Sequence, residues 1–280
     1  MNIVLHPAEQ KRFDEYTKNP AHAILLIAPT GSGKETVLHG LALAILGDHP
    51  SGRLFEVVPE SEKQHVGIEE IRKIKTTTKL ATNEQRVVVI ANAHTMTHEA
   101  QNSLLKILEE PPKNTTFLLS SPSKEQLLET VVSRTQVWQM RLPSTSQLEA
   151  YFSDAEPHAL RRALAISDRR VGLMTALLEE GEIEHPLLTA ITRSKELLQE
   201  TKFERLCQVE ALAKDSAATQ ELLGALELTA KAGLTAAANN NNQPAISEWR
   251  RKLNAIADAK KQASASVQAK LVLSNLFVRL

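Results

Sequence analysis

The chain has 280 residues, room for about two domains on the usual ~150-residue expectation, with 42% hydrophobic residues, 4% aromatics and a formal net charge of zero. That balance offers no global basic field for nucleic acid, and a single cysteine, Cys207, can build neither a disulfide framework nor a thiolate zinc site. No apolar run approaches the ~18 residues of a membrane span, and the polar N-terminus has no signal-peptide core, so the sequence predicts a soluble chain of a reducing, cytoplasmic compartment.

A composition rich in Ala, Leu, Glu, Lys and Gln predicts a mostly helical protein. Residues 1 to 20 read as an amphipathic helix with Phe13 and Tyr16 on one side, ending at Asn19-Pro20. A buried strand follows at His22 to Ile27, then the turn Ala28-Pro29-Thr30-Gly31-Ser32-Gly33-Lys34-Glu35-Thr36, then a helix from about Val37 to Leu46. Strand, Gly-rich turn and helix in this order are the context of a phosphate-binding loop, in which backbone N–H groups and a helix N-terminus cradle phosphates.

The full pattern, G-x-x-x-x-G-K-S/T, is only partly kept. Gly31, Gly33 and Lys34 remain, with Ser32 between the glycines. Ala28 replaces the first glycine, and Glu35 stands where the magnesium-binding hydroxyl belongs. A carboxylate there repels a β-phosphate unless a metal intervenes, and Thr36 comes one residue late. Nucleotide binding, metal-dependent hydrolysis and a purely structural relic all remain open on these residues.

From Gly47 the chain passes through a Pro/Gly loop, a strand at Leu54 to Val58, a polar loop and a helix from Ile68 to about Lys79. Val87-Val88-Val89-Ile90 is a β-branched run without alternation, as in a parallel strand buried on both faces. The helix after it has Thr97 as N-cap, Glu99 in its first turn, an apolar stripe of Met96, Leu104, Leu105 and Leu108, and its end at Pro111-Pro112. A strand ending here in a polar pair is where a phosphate-loop ATPase keeps a metal-binding Asp and a catalytic Glu. This chain has Ala91 and Asn92.

A fourth strand, Thr116 to Ser121, a helix from Lys124 to Val132, the tripeptide Ser133-Arg134-Thr135 and a last strand at Gln136 to Arg141 complete an α/β pattern. Such alternation predicts a parallel sheet with helices on both faces. After a boundary at Leu142-Pro143-Ser144, Thr145 to about Glu180 reads as three short helices, with breaks at Ser153 to Pro157 and Ser167-Asp168. Helical periodicity then runs through Pro186 to Glu200, Phe203 to Lys214, Thr219 to Ala238, Ala245 to Ala263 and Ser266 to Leu280, with an exposed linker at Asn239 to Pro244. Cys207 reads as a buried small hydrophobe and Trp249 as core or interface. Arg250-Arg251-Lys252 and Lys260-Lys261 read as a solvated face that could otherwise meet a partner or DNA phosphates.

HAILLIAPTGSGKE, GIEEIRKI, VVVIANAHTMTHEAQNSLLKILEEPP, FLLSSPSKEQLLETVVSRT and KLVLSNLFVRL, in this order, resemble the delta-prime subunits of the bacterial DNA polymerase III clamp loader. The resemblance spans the whole chain, and NSLLKILEEPP and SRT are its most specific pieces. It implies an AAA+ phosphate-loop domain at 1–142, a small helical lid at 143–185 and an all-α collar at 186–280 that holds a five-membered ring together. The implied partners are the ATPase motor subunits and the delta subunit in a hetero-pentamer, and through that complex the sliding clamp and primer-template DNA, with no membrane.

In that family the arginine of a Ser-Arg-Cys motif reaches the γ-phosphate of ATP on a neighbour. The matching residue is Arg134, and Thr135 replaces the cysteine. A permanently charged, bidentate guanidinium at a domain edge suits the task; local pairing with a carboxylate is the plainer reading. Hydrolysis needs a magnesium-ordering Asp, a Glu acting on water and a loop hydroxyl, and Ala91, Asn92 and Glu35 replace all three. The expectation is a subunit that hydrolyses nothing itself, requires no cofactor and binds ATP or ADP weakly if at all. Ser121 matches the γ-phosphate sensor position, although hydroxyls are common at strand ends. His94 reads as packing or capping. Arg169-Arg170 falls near a lid's sensing arginine, where a solvated helix end is the simpler account.

Many relatives carry a four-cysteine zinc module. Residues 47 to 65 contain no cysteine, and His49 and His65 cannot replace it, so no metal is expected. The rivals are an ATP-hydrolysing motor subunit of the same family and a free-standing nucleotide-sensing adaptor.

Overall fold

The computed structural model describes residues 4–47, 50–59, 65–78, 84–179, 186–265 and 267–280. Two compact units emerge, Met1–Tyr151 with Arg169–Val171, and Phe152–Asp168 with Gly172–Leu280.

The first unit follows the order α1 (Pro7–Lys18), β1 (Ala23–Ile27), α2 (Lys34–Leu46), β2 (Leu54–Glu56), α3 (Ile68–Thr78), β3 (Arg86–Ile90), α4 (His98–Glu109), β4 (Thr115–Ser121), α5 (Glu129–Val132), β5 (Gln136–Gln139) and α6 (Thr145–Tyr151). Among the described residues five strands form one parallel sheet in the order β2-β3-β4-β1-β5. Strands β1 and β4, paired on both edges, are buried along their whole length, which is why their sequences show no alternation. Successive side chains still point to opposite faces. Leu25, Ile27, Val88, Ile90 and Phe117 meet α3, α4 and α5, whereas Ile24, Leu26, Val89, Leu118 and Trp138 meet α1 and α2. The expected helices on both faces are therefore present.

Helix α1 is tied to the β5 edge by a buried carboxylate. Glu9 accepts a hydrogen bond from Trp138 Nε1, and Arg12 and Arg141 each place a nitrogen 3.9 Å from it.

Several element boundaries differ from the sequence reading. Helix α2 begins at Lys34 rather than Val37, because Gly33 in the left-handed region serves as its N-cap. Strand β2 stops at Glu56 instead of Val58, although Val57 N–H still donates to Val89 O. The expected helix from Lys124 to Val132 is a 3₁₀ turn at Lys124–Gln126, extended Leu127 and Leu128, and a single α turn. Leu128 N–H is taken by the Gln101 side chain at 2.8 Å, which holds the extended stretch open. The α4 stripe includes buried Ile107 beside Leu104 and Leu108. The expected α3 end at Lys79, the lid end at Glu180 and the start of the last helix at Ser266 fall outside the described residues, as does His49.

The second unit is helical: α7 (Pro157–Ser167), α8 (Val171–Leu178, its first residue grouped with the first unit), α9 (Pro186–Gln199), α10 (Lys202–Cys207), α11 (Val209–Leu212), α12 (Ser216–Asn239), α13 (Gln243–Ser264) and α14 (Ala269–Arg279). One core joins α9 to α14 through Leu223, Leu226, Ile256, Leu276 and Phe277. A second gathers Leu173, Leu187, Ile191, Ala225 and Leu228.

Two expectations are corrected in this unit. The linker from Asn239 to Pro244 shrinks to Asn240–Asn242, since Asn242 caps α13 with its side chain and Pro244 fits the first helical turn. Cys207 is exposed rather than buried. The segment from Phe203 to Lys214 breaks at Gln208, and α10 turns Arg205 inward instead, where its Nη1 donates to Leu197 O at 3.3 Å. Of the basic runs, Lys252 is buried against Trp249 and paired with Glu248 at 2.8 Å, and Lys260 pairs with Glu227. Arg250 and Arg251 stay exposed. Among the described residues no helix is long and apolar enough to cross a membrane.

Candidate functional site

The phosphate-type loop joins β1 to α2 at the C-terminal edge of the sheet. Gly31 and Gly33 have φ of 79° and 83°, a region closed to most side chains, so these two glycines are required by the turn itself. Ser32 N–H donates to Pro29 O at 3.1 Å, and Val37 N–H to Gly33 O at 3.1 Å. Lys34, only 2% exposed, lies in the first turn of α2 with Nζ 3.7 Å from Glu35 Oε1. Ser32 is buried, and its Oγ has no hydrogen-bond partner. Thr36 is half-buried on the same helix.

Charge accumulates around that lysine. Burial drives the Lys34 ammonium below its ordinary pKa; Glu35 opposes the shift and the Arg170 guanidinium adds to it. Burial also lowers His94 to about 4, assisted by Lys34 and opposed by Glu35. The His94 imidazole is thus neutral at physiological pH, with Nδ1 buried and unpartnered. The chain brings Ser32, Lys34, Glu35, His94 and Arg170 to one place, although only the first three are neighbours in sequence.

Arg170 is the residue that sequence reasoning left as a solvated end. Its Nη1 donates to Thr30 O at 3.1 Å, on the loop itself. Two consecutive left-handed residues, Asp168 (φ 49°) and Arg169 (φ 62°), turn the chain just before it. Nothing in the local composition announces such a pair.

Beside the loop, β3 ends at Ile90. Ala91 carries no ligand. Asn92, at φ 55°, caps a 3₁₀ turn over Ala93–Thr95 and accepts from Thr95 N–H and Oγ1 at 2.8 and 2.9 Å. Asparagine tolerates this left-handed conformation better than most residues, so Asn92 makes the turn. Its own N–H donates to Ser120 Oγ at 3.1 Å. Ser121, fully buried, instead donates to Ser123 O at 2.6 Å. Ser120 was therefore the missed hydroxyl of this strand end.

The glycine turn, the buried ammonium and the unpartnered Ser32 hydroxyl fit an anion such as a nucleotide phosphate. At the positions where a phosphate loop holds magnesium, Glu35 carries a carboxylate in place of the hydroxyl and Ala91 carries no ligand. Among the described residues no group of three or more His, Cys, Asp or Glu side chains could hold a metal.

Arg134 lies apart from this loop in the chain's order of elements, just past α5. Its Nη2 donates to Glu109 Oε1 at 2.6 Å and its Nη1 to Thr130 O at 3.1 Å. A third of the side chain is exposed. Helix α5 is anchored to α4 by Gln101, whose Oε1 accepts from Leu128 N–H and whose Nε2 donates to Met96 O at 3.3 Å.

Residues 49–144 match a protein family described as DNA polymerase III, delta subunit. The DNA polymerase III subunit delta' of Haemophilus influenzae is 33% identical over 186 residues, covering 58% of this chain and 57% of that protein. Its counterpart in Escherichia coli K12 is 28% identical over 184 residues, covering 56% and 54%. The chain spans about half the length of the curated relatives it matches. A gamma subunit-related protein of DNA polymerase III from Thermotoga maritima shares the fold, with a TM-score of 0.54 and 18% identity over 96% of this chain and 97% of that one. Over these segments the chain is similar to delta' subunits of DNA polymerase III, and it shares its fold with the Thermotoga maritima protein.

Proposed function

We propose that the chain is a delta-prime-type subunit of a clamp loader, one that hydrolyses no ATP itself and offers Arg134 to the ATP of a neighbouring subunit. The observation that carries this reading is the contrast within one unit. The chain's own loop lacks a hydroxyl, an Asp and a Glu at Glu35, Ala91 and Asn92, while a permanently charged guanidinium stands partly exposed at the end of α5. Charge on a transferring phosphoryl group is stabilised by such a guanidinium, and the enzyme that holds the nucleotide need not supply it.

On this reading the neighbours are the ATPase motor and delta subunits of a cytoplasmic hetero-pentamer that places a sliding clamp on primed DNA. Residues 1–142 act as the AAA+ domain, 143–185 as a lid and 186–280 as a collar. Exposed Phe203, Leu271 and Val278 support a collar with apolar surface left for partners. The buried Lys34 and unpartnered Ser32 hydroxyl favour one narrower addition, weak binding of ATP or ADP at the loop without turnover. Arg170 and Ser121 would then report on the loop rather than act chemically.

Reconstitution tests the proposal. Mixed with cognate motor and delta subunits, the chain should co-elute as a stable complex and raise clamp- and DNA-stimulated ATPase activity, yet show no turnover alone. Turnover by the isolated chain would revive the motor reading, and persistence as a monomer in the mixture would favour a free-standing adaptor.

A further inference from the structure

Both terminal nitrogens of Arg134 are held by the chain's own atoms, one by the Glu109 carboxylate and one by the Thr130 carbonyl. Each is an NH2 group with a second hydrogen, and Nε–H is a fifth donor. A guanidinium fixed at two points therefore keeps donors for an incoming anion while losing the rotamer freedom of a long, flexible side chain.

The carboxylate stands where helix electrostatics disfavour it. Glu109 is the last residue of α4, next to the unsatisfied carbonyls that carry negative partial charge. Arg134, by contrast, sits at the carbonyl end of α5, where a cation is favoured, and caps Thr130 O. Helix electrostatics thus accounts for Arg134 lying there and gives no reason for Glu109; the arginine does.

The frame around the pair is rigid. Leu104, Ile107 and Leu108 bury α4, Pro111 follows Glu110 and bars its continuation, and Gln101 ties the start of α5 to α4. The pair itself is half in water, with side-chain exposures of 34% for Arg134 and 50% for Glu109. Exposed ion pairs of this kind contribute little to folding. A role in orientation remains.

We propose that Glu109 is a positioning residue that holds the Arg134 guanidinium in the orientation it presents to a neighbour's phosphates. This rests on the reading of Arg134 as a trans-acting arginine. Effective reaction geometries tolerate little displacement, and a shift of about 1 Å can cost ~10²-fold in rate.

The test compares ATP hydrolysis by the reconstituted complex, with clamp and primed DNA, for wild type, Arg134→Ala, Glu109→Ala, Glu109→Gln and the Glu109→Ala/Arg134→Ala double variant. Glu109→Ala is expected to slow hydrolysis at the served site by about tenfold or more, with KM for ATP and the chain's melting temperature unchanged. Glu109→Gln, whose amide oxygen can still accept from Nη2, should recover most of the rate. The double variant should be no slower than Arg134→Ala, as for two residues acting as one unit. If Glu109→Ala fails to assemble, Glu109→Asp takes its place, since a carboxylate withdrawn by one methylene should also slow the reaction. Wild-type or faster hydrolysis by Glu109→Ala (or by Glu109→Asp where it takes its place), with Arg134→Ala slow, overturns the positioning role; faster hydrolysis would make Glu109 a competitor of the phosphate. Wild-type hydrolysis by Arg134→Ala overturns the trans-arginine reading beneath it.

Discussion

Nζ of Lys34 lies 3.7 Å from Oε1 of Glu35, its neighbour in the chain. The ammonium that would meet a phosphate thus faces a carboxylate from its own helix turn. Replacing Glu35 by Thr removes the competing charge and supplies a hydroxyl. At about 4 Å and an effective dielectric near 20 such a charge is worth ~4 kcal/mol before screening, and because Glu35 is half exposed we expect ~1.4 kcal/mol to survive, about tenfold in affinity. Titration of a fluorescent ATP analogue with magnesium should show that tightening for Glu35→Thr and loss of binding for Lys34→Ala. Hydrolysis should stay at background, since Ala91 and Asn92 still lack carboxylates. Equal affinity for wild type and Glu35→Thr would remove Glu35 as the obstacle.

His94 predicts a pH dependence. Its folded pKa is about 4, below the ordinary 6.5, so the unfolded chain takes up the proton first as pH falls. Stability is complete above about 6.5, declines between 6.5 and 4, and levels off below 4. Discounted for the partial exposure of the ring, the loss is on the order of 1 kcal/mol. Urea midpoints measured from pH 7.5 to 4 should fall in that window for wild type and flatten for His94→Gln. Parallel curves for the two proteins would show that His94 is not the group responsible.

Two glycines on α12 should respond in opposite directions to the same substitution. A Cβ on Gly233 would meet the Trp249 ring at 2.4 Å, whereas one on Gly224 would meet nothing within 4 Å. Gly233→Ala therefore has to displace a tryptophan packed against the helical core, at a cost of about 1–3 kcal/mol. Gly224→Ala should gain about 0.5–1 kcal/mol from helix propensity. Thermal unfolding should lower the melting temperature of the first and raise that of the second. A stabilising Gly233→Ala would mean that Trp249 moves aside freely.

Burying Glu9 against Trp138 yields a third stability contrast. Glu9→Ala leaves the indole N–H buried without its acceptor, which costs about 1–3 kcal/mol. Trp138→Phe leaves the carboxylate buried in its place and should also destabilise. The double variant Glu9→Ala/Trp138→Phe should fall well short of the sum of the singles, readable from urea unfolding. Additive losses would show that the two groups act independently.

The sheet was legible because unalternating β-branched and aliphatic runs admit little besides buried parallel strands, and the loop because Gly31 and Gly33 can take a backbone that few residues can. Local chemistry also announced the Thr97 cap, whose side chain accepts from Ala100 N–H at 3.2 Å. Contacts between distant segments were not legible. Gln101 opens what looked like a helix at Leu127 and Leu128, the buried Arg205 displaces Cys207 to the surface, and consecutive left-handed residues bring Arg170 to Thr30. The first and third depend on partners tens of residues away, and the third also on a backbone conformation that composition does not encode; Arg205 depends on a carbonyl eight residues back across the break between two helices. The Arg134 to Glu109 pair belongs to the same class, 25 residues apart in sequence.

The proposed function turns on Arg134 acting across a subunit boundary. The most direct measurement is the ATPase rate of the reconstituted complex, with motor and delta subunits, clamp and primed DNA, containing either the intact chain or Arg134→Ala, with assembly checked by size-exclusion chromatography. Trans-acting arginines can be worth ~10³–10⁵ in rate at the site they serve. A clear fall in rate with the complex intact is the predicted result; an unchanged rate in an equally intact complex would contradict the account and leave the chain a scaffold.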